Sequence, residues 1–167
     1  MADTMLVAYA SKSGTTAEVA ERMGACLREA GVAVEVRRAA AVTSLDGFRA
    51  IIIGSAVRMG QWLPEARRFV ARFQAPLRER PVAIFTVHLL ARDDTAESRA
   101  QRERYTAPVR AGIIPVTEAF FAGRLERARL SCGERLIARM VKAGEIDACD
   151  WEAVCAWARE AAEMLKG

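Results

Sequence analysis

Short apolar runs alternate with helical stripes along this chain. Met5 to Ala10 is a nearly continuous apolar stretch that reads as a buried strand, and a polar turn follows at once. Val19, Met23, Cys26, Leu27 and Ala30 then recur at helical spacing, so one stripe of a helix faces a core. Thr15 and Glu18 have the spacing of a capping box, and Gly31 stands where a helix commonly ends. Val32 to Val36 alternates apolar with polar positions, as a half-exposed strand does. Ala50-Ile51-Ile52-Ile53, closed by Gly54, is the pattern of a strand buried on both faces. Pro64 suits a first helical turn, with Ala66, Phe69, Val70 and Phe73 on the inner side. Pro81 to Val87 predicts another buried strand, Arg92 to Ser98 a polar loop, and residues 97–111 a mostly polar helix. Val116 to Ala122 is the last strand, ending at Gly123. Asp150 then caps a final helix striped by Val154, Ala158, Ala161 and Leu165.

Strands that alternate with helices in this way build a parallel sheet covered on both faces. The expected fold is an α/β three-layer sandwich with five parallel strands in the order 2-1-3-4-5. No linker or repeat divides the chain, so residues 1–167 are expected to form one domain. Ligands of such sheets bind beyond the carboxyl ends of the strands, at the point where the order reverses. Three loops lie there: Ser11 to Thr16, Ser55 to Trp62, and Val87 to Arg92.

Composition narrows the classes. Hydrophobic residues make up 52% of the 167 and charged residues 28%, which fits a folded globular domain. No apolar run reaches the roughly 18 residues that span a bilayer. Met1 to Thr4 lacks a basic start and Met5 to Ala10 is too short for a secretory core, so cytoplasmic residence is the expectation. Cys26, Cys132, Cys149 and Cys155 form no CxxC pair, and His88 is the only histidine. No metal site is therefore expected, and the cysteines are expected to be free thiols. The net charge is +4. Arg124 to Lys142 holds six bases against two acids, an excess equal to that of the whole chain.

The first loop carries the clearest chemistry. In Ser11-Lys12-Ser13-Gly14-Thr15-Thr16 a glycine, several hydroxyls and the amides of a helix start are brought together after a strand. Such an arrangement receives an anion, because the first amides of a helix lack intrahelical acceptors and Gly14 lets the backbone approach closely. Lys12 adds positive charge. The spacing is neither that of a Walker A loop nor that of a dinucleotide fingerprint. Hydroxyl-rich turns also serve simply as helix caps; the place of this one, after the first strand of a doubly wound pattern, favours a phosphate.

Tyr9-Ala10-Ser11-Lys12-Ser13-Gly14-Thr15-Thr16 resembles the FMN-phosphate signature of the flavodoxin-like family. Ile52 to Gly60, Phe121-Ala122-Gly123-Arg124-Leu125 and Asp150-Trp151-Glu152 are similar to stretches of bacterial menaquinone-dependent protoporphyrinogen oxidases of the flavodoxin type. The resemblance implies a flavodoxin-like sheet and FMN as cofactor. It places the phosphate on Ser11, Lys12, Ser13, Gly14, Thr15 and Thr16. One side of the flavin ring would lie against Ser55, Ala56, Val57, Arg58, Met59 and Gly60, the other against Thr86, Val87, His88 and Leu89. Two departures stand out. Electron-carrying flavodoxins are strongly acidic whereas this chain is basic, and Glu126 to Arg129 lacks the aromatic residues of the oxidases.

Other residues keep two readings. His88 either contacts the flavin edge or is a polar loop residue with one hydrogen bond, and Arg58 either stabilises a reduced ring or is solvated. Trp62 either stacks on a ring or staples the helix begun by Pro64; Trp151 and Trp157 suit packing. Leu136, Ile137, Met140 and Val141 form one face of a helix whose other face holds Arg135, Arg139 and Lys142. Such a helix packs on the domain with a solvated basic side, or it docks residues 124–142 on an anionic membrane where a quinone is available. Two functions follow: an FMN oxidoreductase that oxidises protoporphyrinogen with a quinone as acceptor, or a carrier that shuttles electrons between proteins. A flavin-free interaction domain is the third alternative. The redox partner is a quinone or an electron-transfer protein, and no nucleic acid is expected.

Overall fold

The computed structural model describes residues 3–89, 93–125, 146–147 and 149–167. β1 (Thr4–Ala10) leads into α1 (Thr15–Glu29), and β2 (Val34–Arg38) is followed by a short 3-10 turn (Ala39–Ala41). β3 (Phe48–Arg58) turns back into the two-residue β4 (Gln61–Trp62), and α2 (Pro64–Arg72) is followed by α3 (Gln74–Arg78). β5 (Val82–His88), α4 (Ala96–Arg110) and β6 (Thr117–Ala122) complete the main sheet. β7 (Arg124–Leu125) and β8 (Ile146–Asp147) form a separate antiparallel ribbon before α5 (Trp151–Met164). The proposed amphipathic helix 134–143 and nearly all of the basic stretch 124–142 lie outside the described residues.

The main sheet has the order β2-β1-β3-β5-β6, all parallel, with β4 paired antiparallel to β3. Setting β4 aside, this is the 2-1-3-4-5 order read from the sequence. The apolar runs mark the central strands because both faces are covered. Leu6, Ala8, Ile51, Ile53 and Ile84 face the core beneath α2 and α3. Met5, Val7, Ile52, Ala83 and Phe85 face the core beneath α1 and α5. Ile51, Ile52 and Ile53 are completely buried, each worth about 1.5–3 kcal/mol of burial.

Helix ends follow local chemistry. Gly14, in the left-handed region (φ 96°), holds the N-cap position of α1, one residue ahead of the Thr15 read from the spacing. At the other end Gly31 (φ 80°) closes a Schellman motif, its amide donating to Arg28 and that of Val32 to Leu27. Asp150 caps α5 as expected, accepting the Ala153 amide at 3.0 Å.

Three expectations are corrected. Gly54 does not end its strand: β3 continues four residues further because Gly54, Ser55 and Ala56 remain paired to β5. The glycine is required by the ring of Phe85, which lies where a Cβ would be. The stretch 55–62 is not simply a loop but a hairpin, its tip made by Met59 (φ 53°) and Gly60 (φ 74°). Two successive positive φ angles are the geometry of a type I′ turn, which matches the twist of the flanking strands. Finally, Cys26 and Cys155 are not free thiols. They form a disulfide between α1 and α5, Cα atoms 5.6 Å apart and 129 residues apart in sequence. Cys149 is half-buried.

Trp157 packs edge-on against Phe85 (6.3 Å between ring centroids) and Phe121 (5.9 Å), the packing role read for it from the sequence. No described helix is long and apolar enough to cross a membrane.

Two outcomes are expected. Gly54→Ala forces a methyl into the Phe85 ring and should destabilise the fold by about 1–3 kcal/mol in urea titrations, with α1 and β1 unaltered in sequence. Reduction of Cys26–Cys155 should lower stability by roughly 2–5 kcal/mol, the usual worth of a native disulfide. Mass spectrometry after alkylation should then show two more labels than before reduction; an unchanged count would remove the cross-link.

Candidate functional site

The carboxyl ends of β1, β3 and β5 bring the three loops to one edge of the sheet, since parallel strands all end on the same side. The first loop is compact and largely sequestered: Ser11, Thr15 and Thr16 are buried polar residues. Ser11 Oγ accepts the Gly14 amide at 3.1 Å, which closes the turn into α1. The left-handed Gly14 directs the chain so that the first turn of α1 opens on the loop. Helix amides and hydroxyl side chains around a glycine suit a phosphate oxygen cluster, and this tests favourably the fit of a terminal phosphate.

The second loop is the β3–β4 hairpin. Ser55 is wholly buried; its hydroxyl donates to the Ala56 carbonyl at 2.8 Å and accepts the Leu63 amide at 3.0 Å. Ser55 thus ties the two ends of the hairpin to the start of α2, and Ala56 and Val57 are half-buried against the core. Arg58, Met59 and Gly60 are exposed at the tip, Met59 at 94%.

The third loop begins where β5 ends. Thr86 has no exposed surface, and its hydroxyl accepts the Trp62 indole N–H at 2.9 Å. Trp62 is itself only 1% exposed and shares a buried cluster with Leu63 and Ala66 at the start of α2. Its bond to Thr86 clips the β3–β4 hairpin onto β5, which sets the separation between the two loops expected to flank the ring. Sequence reading missed this clip; the signal available was an indole and a hydroxyl in two segments that pair with the same strand.

His88 is the last residue of β5 and is 5% exposed. Its ring lies 6.2 Å from Tyr105 of α4 and 6.2 Å from Phe120 of β6, so the side chain packs under α4. Burial pushes the Tyr105 phenol above its ordinary pKa, opposed by the Arg102 charge and a hydrogen bond with Gln101, so it stays neutral at physiological pH. Val87 is buried toward α5, and Leu89 is half-buried. A groove of about 420 Å³ beside His88 is lined by Asp93, Arg102, Glu118 and Phe120.

A doubly wound sheet with a hydroxyl-rich loop after β1 and two further loops at the same edge is the arrangement of an α/β protein that binds its ligand at the switch point of the sheet. The model of the flavodoxin domain family matches residues 6–150, and the chain belongs to that family. It binds FMN. A relative from Escherichia coli K12, protoporphyrinogen IX dehydrogenase (quinone), is 24% identical over 173 aligned residues, covering 95% of this chain and 94% of the relative. Among solved structures, Flavodoxin 2 from Bacillus cereus superposes with a TM-score of 0.63 at 22% identity, covering 96% of this chain and 98% of that one. A flavodoxin from the domain Archaea gives 0.58 at 18% identity, with 98% and 99% covered.

The two halves of the site should respond differently to substitution. Thr16→Val in the first loop should weaken FMN by about 1.5–3 kcal/mol, as for a lost bond to a charged group, while sparing riboflavin. Thr86→Val strands a buried indole N–H, costing about 1–3 kcal/mol of stability, and should weaken FMN and riboflavin alike. Fluorescence titration with both flavins reads the contrast; equal losses for Thr16→Val would remove the phosphate from that loop.

Proposed function

We propose that the protein is an FMN-dependent oxidoreductase that oxidises protoporphyrinogen and passes the electrons to a quinone. The observation that carries this reading is the E. coli relative: the likeness runs over nearly the full length of both chains rather than over the flavin loop alone. The basic character of the chain agrees with it, since a net charge of +4 is opposite to that of acidic electron carriers.

When bound, FMN supplies reversible acceptance of two electrons. Each flavin cycle takes two electrons and two protons from the substrate and delivers them to a quinone, which becomes the quinol; three cycles and three quinones complete the six-electron oxidation of protoporphyrinogen to porphyrin. The chain's residues contribute position and electrostatics. Ser11 to Thr16 anchor the phosphate end. The Trp62–Thr86 bond keeps the hairpin and the end of β5 at a constant spacing around the ring. Arg58 at the hairpin tip is a positive charge on the solvent side, suited to a substrate with carboxylates. The stretch 124–142 supplies attraction to an anionic membrane surface, where a hydrophobic quinone resides.

The flavin-loaded protein, mixed with protoporphyrinogen and a menaquinone analogue without oxygen, is expected to generate porphyrin fluorescence in step with quinol. Absence of turnover, together with rapid exchange of electrons with a reductase and a protein acceptor, would establish the carrier instead. Anionic vesicles should speed the reaction of a long-chain quinone at low salt and leave a soluble acceptor unaffected.

A further inference from the structure

Arg38 is the last residue of β2 and sits in register with Tyr9, two residues before the phosphate loop. Its guanidinium reaches across to that loop: Nη2 donates to the Ser11 carbonyl at 3.2 Å and to Glu65 Oε2 at 3.3 Å. Glu65 lies in the first turn of α2, and its other oxygen accepts the Ala40 amide at 3.2 Å. Three segments distant in sequence, at the ends of β1 and β2 and the start of α2, are therefore joined through one arginine. Nothing in the loop's own sequence requires it. A phosphate on a self-sufficient nest of amides and hydroxyls needs no guanidinium held at its rim.

We propose that Arg38, aimed by Glu65, is a positioning residue for the cofactor phosphate and selects its dianionic form. The carbonyl bond holds the first residue of the loop in place, and the guanidinium adds a stationary positive charge beside it. The loop is six residues long and tightly turned. A phosphate within it lies inside the 8–10 Å over which charges act through physiological salt. A phosphate monoester has a second pKa near 6 and carries about −1.5 to −2 charge at neutral pH. Positive charge at the rim favours the dianion, so FMN should bind more tightly as pH rises from about 5 to 7. Riboflavin, which has no phosphate, should not show the rise. Glu65 offsets part of the charge but keeps the guanidinium from swinging into solvent, where half of its surface already lies.

The inference rests on FMN binding and not on the substrate, so it stands or falls separately from the proposed reaction. The test uses the full chain freed of flavin and titrated with FMN and with riboflavin at pH 5 and pH 7. Arg38→Gln should weaken FMN about three- to tenfold at pH 7, the size expected for a part-exposed charge, and change riboflavin by less than twofold. The pH dependence of FMN binding should flatten in the same variant. Arg38→Lys, which keeps the charge, should recover most of the preference for FMN. Thermal melts of the flavin-free variants check that the fold is retained. Equal weakening of both flavins by Arg38→Gln would show a purely structural tie, and unchanged FMN binding would show a solvated arginine; either result overturns the proposal. So would a loss in Arg38→Lys as large as in Arg38→Gln.

Discussion

Parallel pairing of β1, β3 and β5 is the constraint from which the rest of the molecule follows. Each of these strands is hydrogen-bonded on both edges and buried on both faces, so its connections must leave the sheet and return through a helix. All three strands then end on one side, and the loops that follow them meet at one place. The register of β3 against β5 also puts the Phe85 ring over Gly54. A side chain there would push the two strands apart and move the second and third loops relative to each other. The geometry of the site is thus a consequence of sheet packing well below it.

The site divides into two parts with separate supports. The first loop is held by local backbone chemistry, the Ser11–Gly14 bond and the start of α1, and braced from outside by Arg38 and Glu65. The second and third loops are held by Ser55 and by the Trp62–Thr86 bond, both buried. This division explains why residues expected to touch the flavin include some whose side chains face inward. Ser55 and Thr86 place the loops with their hydroxyls. His88 faces α4 and β6, so its ring acts on the wall of the groove beside it.

Charge is distributed in keeping with these roles. The phosphate loop has Lys12 within it and Arg38 at its edge, whereas the excess of the whole chain lies between Arg124 and Lys142. Of the first set, Arg38 is tied by hydrogen bonds to the Ser11 carbonyl and to Glu65. The other set lies almost entirely outside the described residues.

By itself the sequence determined the alternation of strands and helices, the doubly wound order, the caps at Gly31 and Asp150, and the hydroxyl-rich turn that opens α1. These are properties of neighbouring residues: burial period, allowed φ and ψ, and the amides of a helix start are set within a few positions along the chain. Only the tertiary structure decided that β3 runs past Gly54, that Cys26 meets Cys155, that Trp62 bonds to Thr86 and that Arg38 reaches Ser11. The pairings join residues 24 to 129 positions apart. Their physical cause is the order and register of the sheet and the packing of α1 on α5, which bring together atoms that no local pattern relates.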